Sequence, residues 1–191
     1  ALAHTSQALN DWRNNDIFLL HYGILLEDLN EKDVTETFSV FERVLELNPT
    51  SQEAVHELLY LASCSDDFPP ARLARLINST NISFTDPEIA FRFFCRLLPE
   101  LNVRFLTRET RDDDFACRAR MVLTTLRRES ELCRNRCDLL CLLAELHWYF
   151  EEQAEAEESF RRSLGVRDTY ERAKVAFPRF LWQTGQVEVE P

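Results

Sequence analysis

Apolar residues recur three and four positions apart along nearly the whole chain, the period of helices and not the alternation of strands. Thr5 and Ser6 stand as caps before a short helix over 6–13. From Ile17 to Leu26 the run is almost continuously apolar, which predicts a helix buried on most sides. The polar stretch Asn30 to Asp33 breaks it. The next helix covers 34–47, with Phe38, Phe41, Val44 and Leu45 on one stripe, and Asn48-Pro49 ends it. Thr50-x-x-Glu53 is a capping-box pattern that opens a helix through Ala62. Pro69-Pro70 suits the first turn of a helix ending near Asn78. In Thr85-Asp86-Pro87-Glu88 a capping side chain, an N1 proline and an acid coincide, which predicts a helix to Leu98. Residues 99–111 read as the longest irregular stretch. Helices follow over 112–128, 132–150 and 153–164, and the last begins near Thr169 and meets Pro178, expected to kink or end it. No Gly/Ser-rich linker divides the chain, so residues 1–191 read as a single helical domain, an excerpt of a longer protein.

Composition adds exclusions. Three glycines in 191 residues (Gly23, Gly165, Gly185) leave no phosphate loop, dinucleotide turn or nucleophile elbow, each of which needs glycine where the backbone turns left-handed or approaches a ligand. Gly165 and Gly185 read as helix ends, Gly165 in a left-handed C-cap. The formal charge is −11, unevenly spread. Residues 1–60 carry eleven acids against three basic residues, whereas 103–136 carry nine arginines against six acids. Six cysteines sit mostly in apolar helical runs behind no signal peptide, and no apolar stretch is long enough for a membrane span. Reduced thiols and a cytoplasmic or nuclear setting follow, which leaves the sequons at Asn78 and Asn81 as chance tripeptides.

Helix starts near 16, 51, 86, 134 and 169 suggest a repeat of about 35 residues with one stretched interval. Thr37-x3-Phe41-x2-Val44-x4-Pro49 has a small-aromatic-small-proline spacing, and Leu143-Ala144-x2-His147 is followed by Ala156-x3-Phe160-x2-Ser163. Small residues let paired helices approach and the aromatics fill the space left. These stretches resemble the tetratricopeptide-repeat (TPR) family, well over 17–62 and 137–164 and weakly elsewhere. Ala71 takes the small-residue role but Arg75 stands where an aromatic belongs, the 99–111 insertion breaks the period, and His147 replaces a tyrosine. The expected fold class is all-α: a TPR-like α-solenoid of about four helical hairpins plus a terminal helix.

The resemblance implies a concave face lined by first helices, with Glu53, His56 and Tyr60 from the second hairpin and Asp138, Cys141, Glu145 and Trp148 from the fourth. This lining is acidic and aromatic, and it lacks the Lys/Asn/Arg set with which some family members clamp a C-terminal carboxylate. Its complement is a basic or amphipathic protein segment, with Tyr60 and Trp148 as anchors. Packing of Trp148 and Tyr149 in the core or against the next hairpin is the other reading.

Arg118, Arg120, Arg127 and Arg128 form a second candidate surface, for an acidic protein or an RNA backbone, although they cannot all share one helix face. Neutralisation by Asp112, Asp113, Asp114, Glu129 and Glu131 is the alternative. Cys133, Cys137 and Cys141 recur every four residues, yet positions eight apart on one straight helix are separated by about 12 Å along the axis, too far to share a zinc ion. They read as core residues. His4, His21, His56 and His147 form no ligand spacing, and no nucleophile–base pair stands out. The function expected is non-enzymatic, without metal or cofactor: an interaction scaffold within a larger intracellular complex, with self-association a further option. Nucleic-acid binding through 104–136 is the alternative.

Overall fold

The computed structural model describes residues 13–29, 34–65, 68–79, 83–101 and 113–186. Residues 6–12 of the helix expected over 6–13, the Asn30–Asp33 break, Asn81, Arg104, Arg108, Arg111 and nearly all of the 99–111 stretch lie outside these residues. Every element among them is an α-helix: α1 (Asp16–Leu29), α2 (Val34–Leu47), α3 (Gln52–Cys64), α4 (Pro70–Ser79), α5 (Pro87–Leu97), α6 (Asp113–Arg128), α7 (Ser130–Cys133), α8 (Cys137–Tyr149), α9 (Gln153–Val166) and α10 (Glu171–Gln183). Starts at 16, 52, 87, 137 and 171 keep the expected period, with the long interval between 87 and 137. The chain divides into two compact units, Ala1–Ser83 and Phe84–Pro191.

In the first unit α1 and α2 are antiparallel. Asn48 Nδ2 at the end of the pair donates to Asp16 Oδ2 at its beginning (2.8 Å), and Gly23 faces Phe41 between them. A Cβ on Gly23 would lie 2.6 Å from Phe41 Cε1, so glycine is what lets α1 approach the fully buried ring. Thr37, Phe38, Val44 and Leu45 complete the inner stripe of α2, as its spacing predicts. Packing does not enclose α1 on most sides, however: Ile17, Ile24 and Leu25 are exposed on the sides turned away from α2.

Helix α3 packs on α2 and is capped by Ser51, whose Oγ accepts from the Ala54 amide (3.4 Å). The cap falls one residue later than the capping-box pattern suggests, because the Thr50 hydroxyl is spent on Asn48 Oδ1 (2.8 Å). Along α2 lies α4. Phe68, just ahead of it, stacks on Phe38 with centroids 4.2 Å apart, and Arg72 donates to Glu42 Oε2 (2.6 Å) and Ser39 Oγ (3.1 Å). Further along both helices Arg75 and Leu76 face Leu45, Glu46 and Pro49 across a cleft, so α2 and α4 run parallel, as second helices of successive hairpins do. The buried residues of α4 are Leu73 and Leu76. Ala71 and Arg75 are exposed, so neither holds the packing position that the repeat spacing assigned to it.

The second unit opens on α5, where Asp86 Oδ1 accepts from the Glu88 (2.7 Å) and Ile89 (3.3 Å) amides, the cap foreseen from Thr85-Asp86-Pro87-Glu88. The single helix expected over 132–150 is two. Arg136 is extended (φ −120°, ψ 101°) at the start of α8, which separates Cys133 on α7 from Cys137 and Cys141. Helices α8 and α9 form an antiparallel hairpin, tied end to end by Ser163 Oγ donating to the Cys137 carbonyl (2.6 Å). Cys141, Ala144, Ala156, Phe160, Ala173 and Phe180 make the core shared by α8, α9 and α10.

Two helix ends close alike. Glu151 (φ 64°) follows α8 and Gly185 (φ 72°) follows α10, and in each the next amide reaches back, Glu152 to the His147 carbonyl (2.9 Å) and Gln186 to that of Leu181 (2.9 Å). Gly185 is thus the expected punctuation, whereas Gly165 lies inside α9, which runs on to Val166. Nor does Pro178 end α10, which continues to Gln183. Phe177 and Phe180, on either side of the proline, both pack on Phe160 (5.5 and 5.7 Å between centroids), and that anchorage offsets the lost backbone bond. Among the described residues the fold is all-α, with antiparallel helical hairpins in each unit.

Candidate partner-binding site

Helix α3 turns Glu53, His56 and Tyr60 to solvent, spaced to share one face, with Tyr60 44% exposed. The neighbouring α1 brings Glu27 to the same place. Its carboxyl lies beside that of Glu57, and its pKa is pushed above the usual carboxylate range by burial, by Glu57 and by Asp28, against a smaller opposing pull from His56. His56 Nδ1 stands 3.6 Å from Glu57 Oε1. Exposed Ile24 and Asp28 continue the surface along α1. Two carboxyls are thus set beside an aromatic and an isoleucine on one exposed face.

The residues expected from the fourth hairpin are disposed differently, because α10 covers them. Glu145 is 4% exposed, and its two oxygens accept from Arg172 Nε (2.8 Å) and Nη2 (2.5 Å). Cys141 is fully buried. Trp148 packs edge-on against Phe160 (6.5 Å) and Phe180 (5.6 Å), the core reading of that residue. Asp138 is half-buried beneath Arg136, which donates to both its oxygens (2.9 and 2.5 Å) and to Glu88 (2.7 Å). Burial raises the Asp138 pKa, but Arg136 and the Leu139 amide outweigh it and hold it below the usual range. The groove lining drawn from the repeat spacing is therefore open on α3 and filled on α8.

The arginine surface also changes. Arg118 is 5% exposed, held by Asp114 and by Glu100 (3.0 Å), and belongs to the interior. Arg120 lies over the Phe150 ring (3.6 Å), Arg127 donates to Glu152 Oε2 (2.6 Å), and Arg128 donates to Glu129 (2.9 Å). The same Glu152 oxygen lies 2.7 Å from Nδ1 of the buried His147. Each of these four arginines meets an acid or a ring of the same chain.

Cys133 and Cys141 are buried as expected of core residues, and burial pushes the Cys133 thiol up to about 11, far from a reactive thiolate. With Cys133 on a separate helix, the straight-helix spacing no longer describes the three cysteines. Among the described residues no group of three or more His, Cys, Asp and Glu is arranged to hold a metal ion. No helix among them is long and apolar enough to cross a membrane. A cleft of about 490 Å³ between α2 and α4 is lined by Glu42, Leu45, Glu46, Pro49, Arg72, Arg75 and Leu76. The repeat spacing named Glu53, His56 and Tyr60 for this face but not Glu27, Glu57 and Ile24, which lie beside them. The four-residue step from Glu53 to Glu57 was the one available signal, since the meeting of Glu27 with Glu57 exists only once α1 and α3 are side by side.

No protein-family profile matches the chain, and no curated protein does. Among solved structures the chain is similar to that of YrrB, described as a TPR protein with an unusual peptide-binding site, at 13% identity and a TM-score of 0.37, covering 91% of this chain and 97% of that one.

Proposed function

We propose that this chain is a non-enzymatic interaction scaffold within a larger intracellular complex, and that its α1/α3 face binds a basic, amphipathic segment of a protein partner. The observation that carries the reading is the Glu27–Glu57 carboxyl pair, set beside exposed Glu53, His56, Tyr60, Ile24 and Asp28. Two like charges side by side cost stability in the free protein, and a Lys or Arg inserted between them converts that repulsion into attraction. Tyr60 and Ile24 supply the apolar contact that anchors the rest of the segment. Nucleic acid is disfavoured because Arg118, Arg120, Arg127 and Arg128 are engaged within the protein. Peptide-display selection on the intact chain tests this. Helical peptides combining Lys/Arg with apolar residues should be enriched, and Tyr60→Ala and Glu27→Arg should each abolish the enrichment. Enrichment of acidic peptides, or selection indifferent to both changes, contradicts it.

A further inference from the structure

The outer face of α10 is the least expected surface of the second unit. Val175 is 70% exposed and Trp182 is 60% exposed, and Pro178 lies between them on the same side of the helix. Steps of three, four and seven residues place these apolar groups on one stripe. Lys174 borders the stripe on one flank and Arg179 on the other, with Glu171 at its N-terminal end. Helix α10 is held from behind by Phe177 and Phe180 on Phe160 and by Arg172 on Glu145, so it presents this stripe as a rigid ridge. A helix face turned to solvent is ordinarily polar. This one shows a valine and a tryptophan with exposed Lys174 at their flank, on a chain whose formal charge is −11.

The chemistry of that ridge is the chemistry the α1/α3 face lacks: a rigid, amphipathic, basic helix with an aromatic anchor. We infer that the chain associates head to tail, the Val175–Pro178–Trp182 ridge of one copy docking on the Ile24/Tyr60 and Glu27/Glu57 face of a second copy. Charge complementarity selects this occupant over a symmetric pairing of ridges, which would set the cations of one α10 beside those of another. Trp182 takes the anchoring role against Ile24 and Tyr60, and Lys174 lies toward the carboxyls. The contact is heterologous, so it leaves a free face and a free ridge on each dimer and continues into larger species or closes as a ring. The inference rests on the α1/α3 face proposed above and adds a particular partner to it.

Sedimentation velocity over a concentration series tests the inference, with two variants of the intact chain. Glu27→Arg/Glu57→Arg blocks the face, and Trp182→Asp blocks the ridge. The wild type should show mass rising with concentration, and each variant alone should sediment as a monomer or associate at least tenfold more weakly, about the effect of removing one hot-spot residue. Mixed in equal amounts, the two variants should form a heterodimer that grows no further, because one intact face meets one intact ridge. A wild type that stays monomeric throughout overturns the inference, as does a mixture that fails to associate. Circular dichroism melts establish that the variants are folded, and Lys174→Glu, a milder change on the exposed flank, should weaken association in the same direction. Titrating the wild type with a basic amphipathic peptide separates the two readings. Peptide binding without self-association removes only the head-to-tail contact, and absence of both removes the α1/α3 face as well.

Discussion

Gly23 and Phe41 show how much one residue decides in this fold. Helix propensity alone favours alanine over glycine by about 1 kcal/mol inside a helix. At Gly23 the added methyl would meet the Phe41 ring at 2.6 Å, in a core where that ring has no room to retreat. Gly23→Ala should therefore lower stability by about 1–2 kcal/mol instead of raising it, and in thermal melts Gly23→Ala/Phe41→Leu should lose less than the two changes summed. The buried Glu145–Arg172 pair makes an opposite kind of demand. Arg172→Met leaves a carboxylate enclosed without its cation and should cost on the order of 3 kcal/mol in urea unfolding, while Glu145→Gln/Arg172→Met should recover much of that loss. Gly23 was legible from sequence as the lone glycine within a helical run, but the ring it accommodates was not named by spacing alone. Glu145 was read as groove lining because its repeat position points that way. What turns it inward is an arginine on a helix that follows, and pairing of that kind leaves no periodic trace.

At the scale of elements, hydrophobic period and capping chemistry carried most of the reading. Helix α2 fell where Phe38, Phe41, Val44 and Leu45 placed it, and α5 began where Asp86 and Pro87 said it should. The break between α7 and α8 was illegible because Arg134-Asn135-Arg136 contains neither glycine nor proline. Its cause is tertiary: Arg136 bridges Glu88 ahead of it in the chain and Asp138 behind it, fixing an extended residue at the start of α8. That bridge has a pH signature. Arg136, with help from Arg92, holds the Glu88 carboxyl below the usual range, and Asp138 is also lowered by Arg136 despite its burial. Groups with depressed pKa stabilise the fold fully above their unfolded values of about 4 and lose that contribution as pH falls through the folded values. Unfolding of the wild type should therefore show stability dropping below about pH 4, and Arg136→Met should flatten that slope. Glu27 has the reverse sign: its raised pKa means the native state binds a proton more readily, so its contribution declines as pH rises through that value, and Glu27→Gln should remove the decline.

Across the whole molecule the uneven charge acquires a structural meaning. The acidity of residues 1–60 converges, through Glu27, Glu53 and Glu57, on an exposed face that also carries Tyr60 and Ile24. The arginines of 103–136, where described, are folded into ion pairs and ring contacts with their own neighbours. The fold class was legible from scarce glycine and the helical period. The choice between surfaces was not, because it depends on which charges the fold neutralises. Binding at the α1/α3 face tests that choice most directly. The anisotropy of a labelled Lys/Arg-rich amphipathic peptide would be titrated with the intact chain, with Glu27→Arg/Glu57→Arg, and with Arg127→Glu/Arg128→Glu. Saturable binding that weakens with salt, falls at least tenfold in the first variant and is unchanged in the second is the predicted result. Binding insensitive to the carboxyl pair and lost with the arginine pair would contradict it.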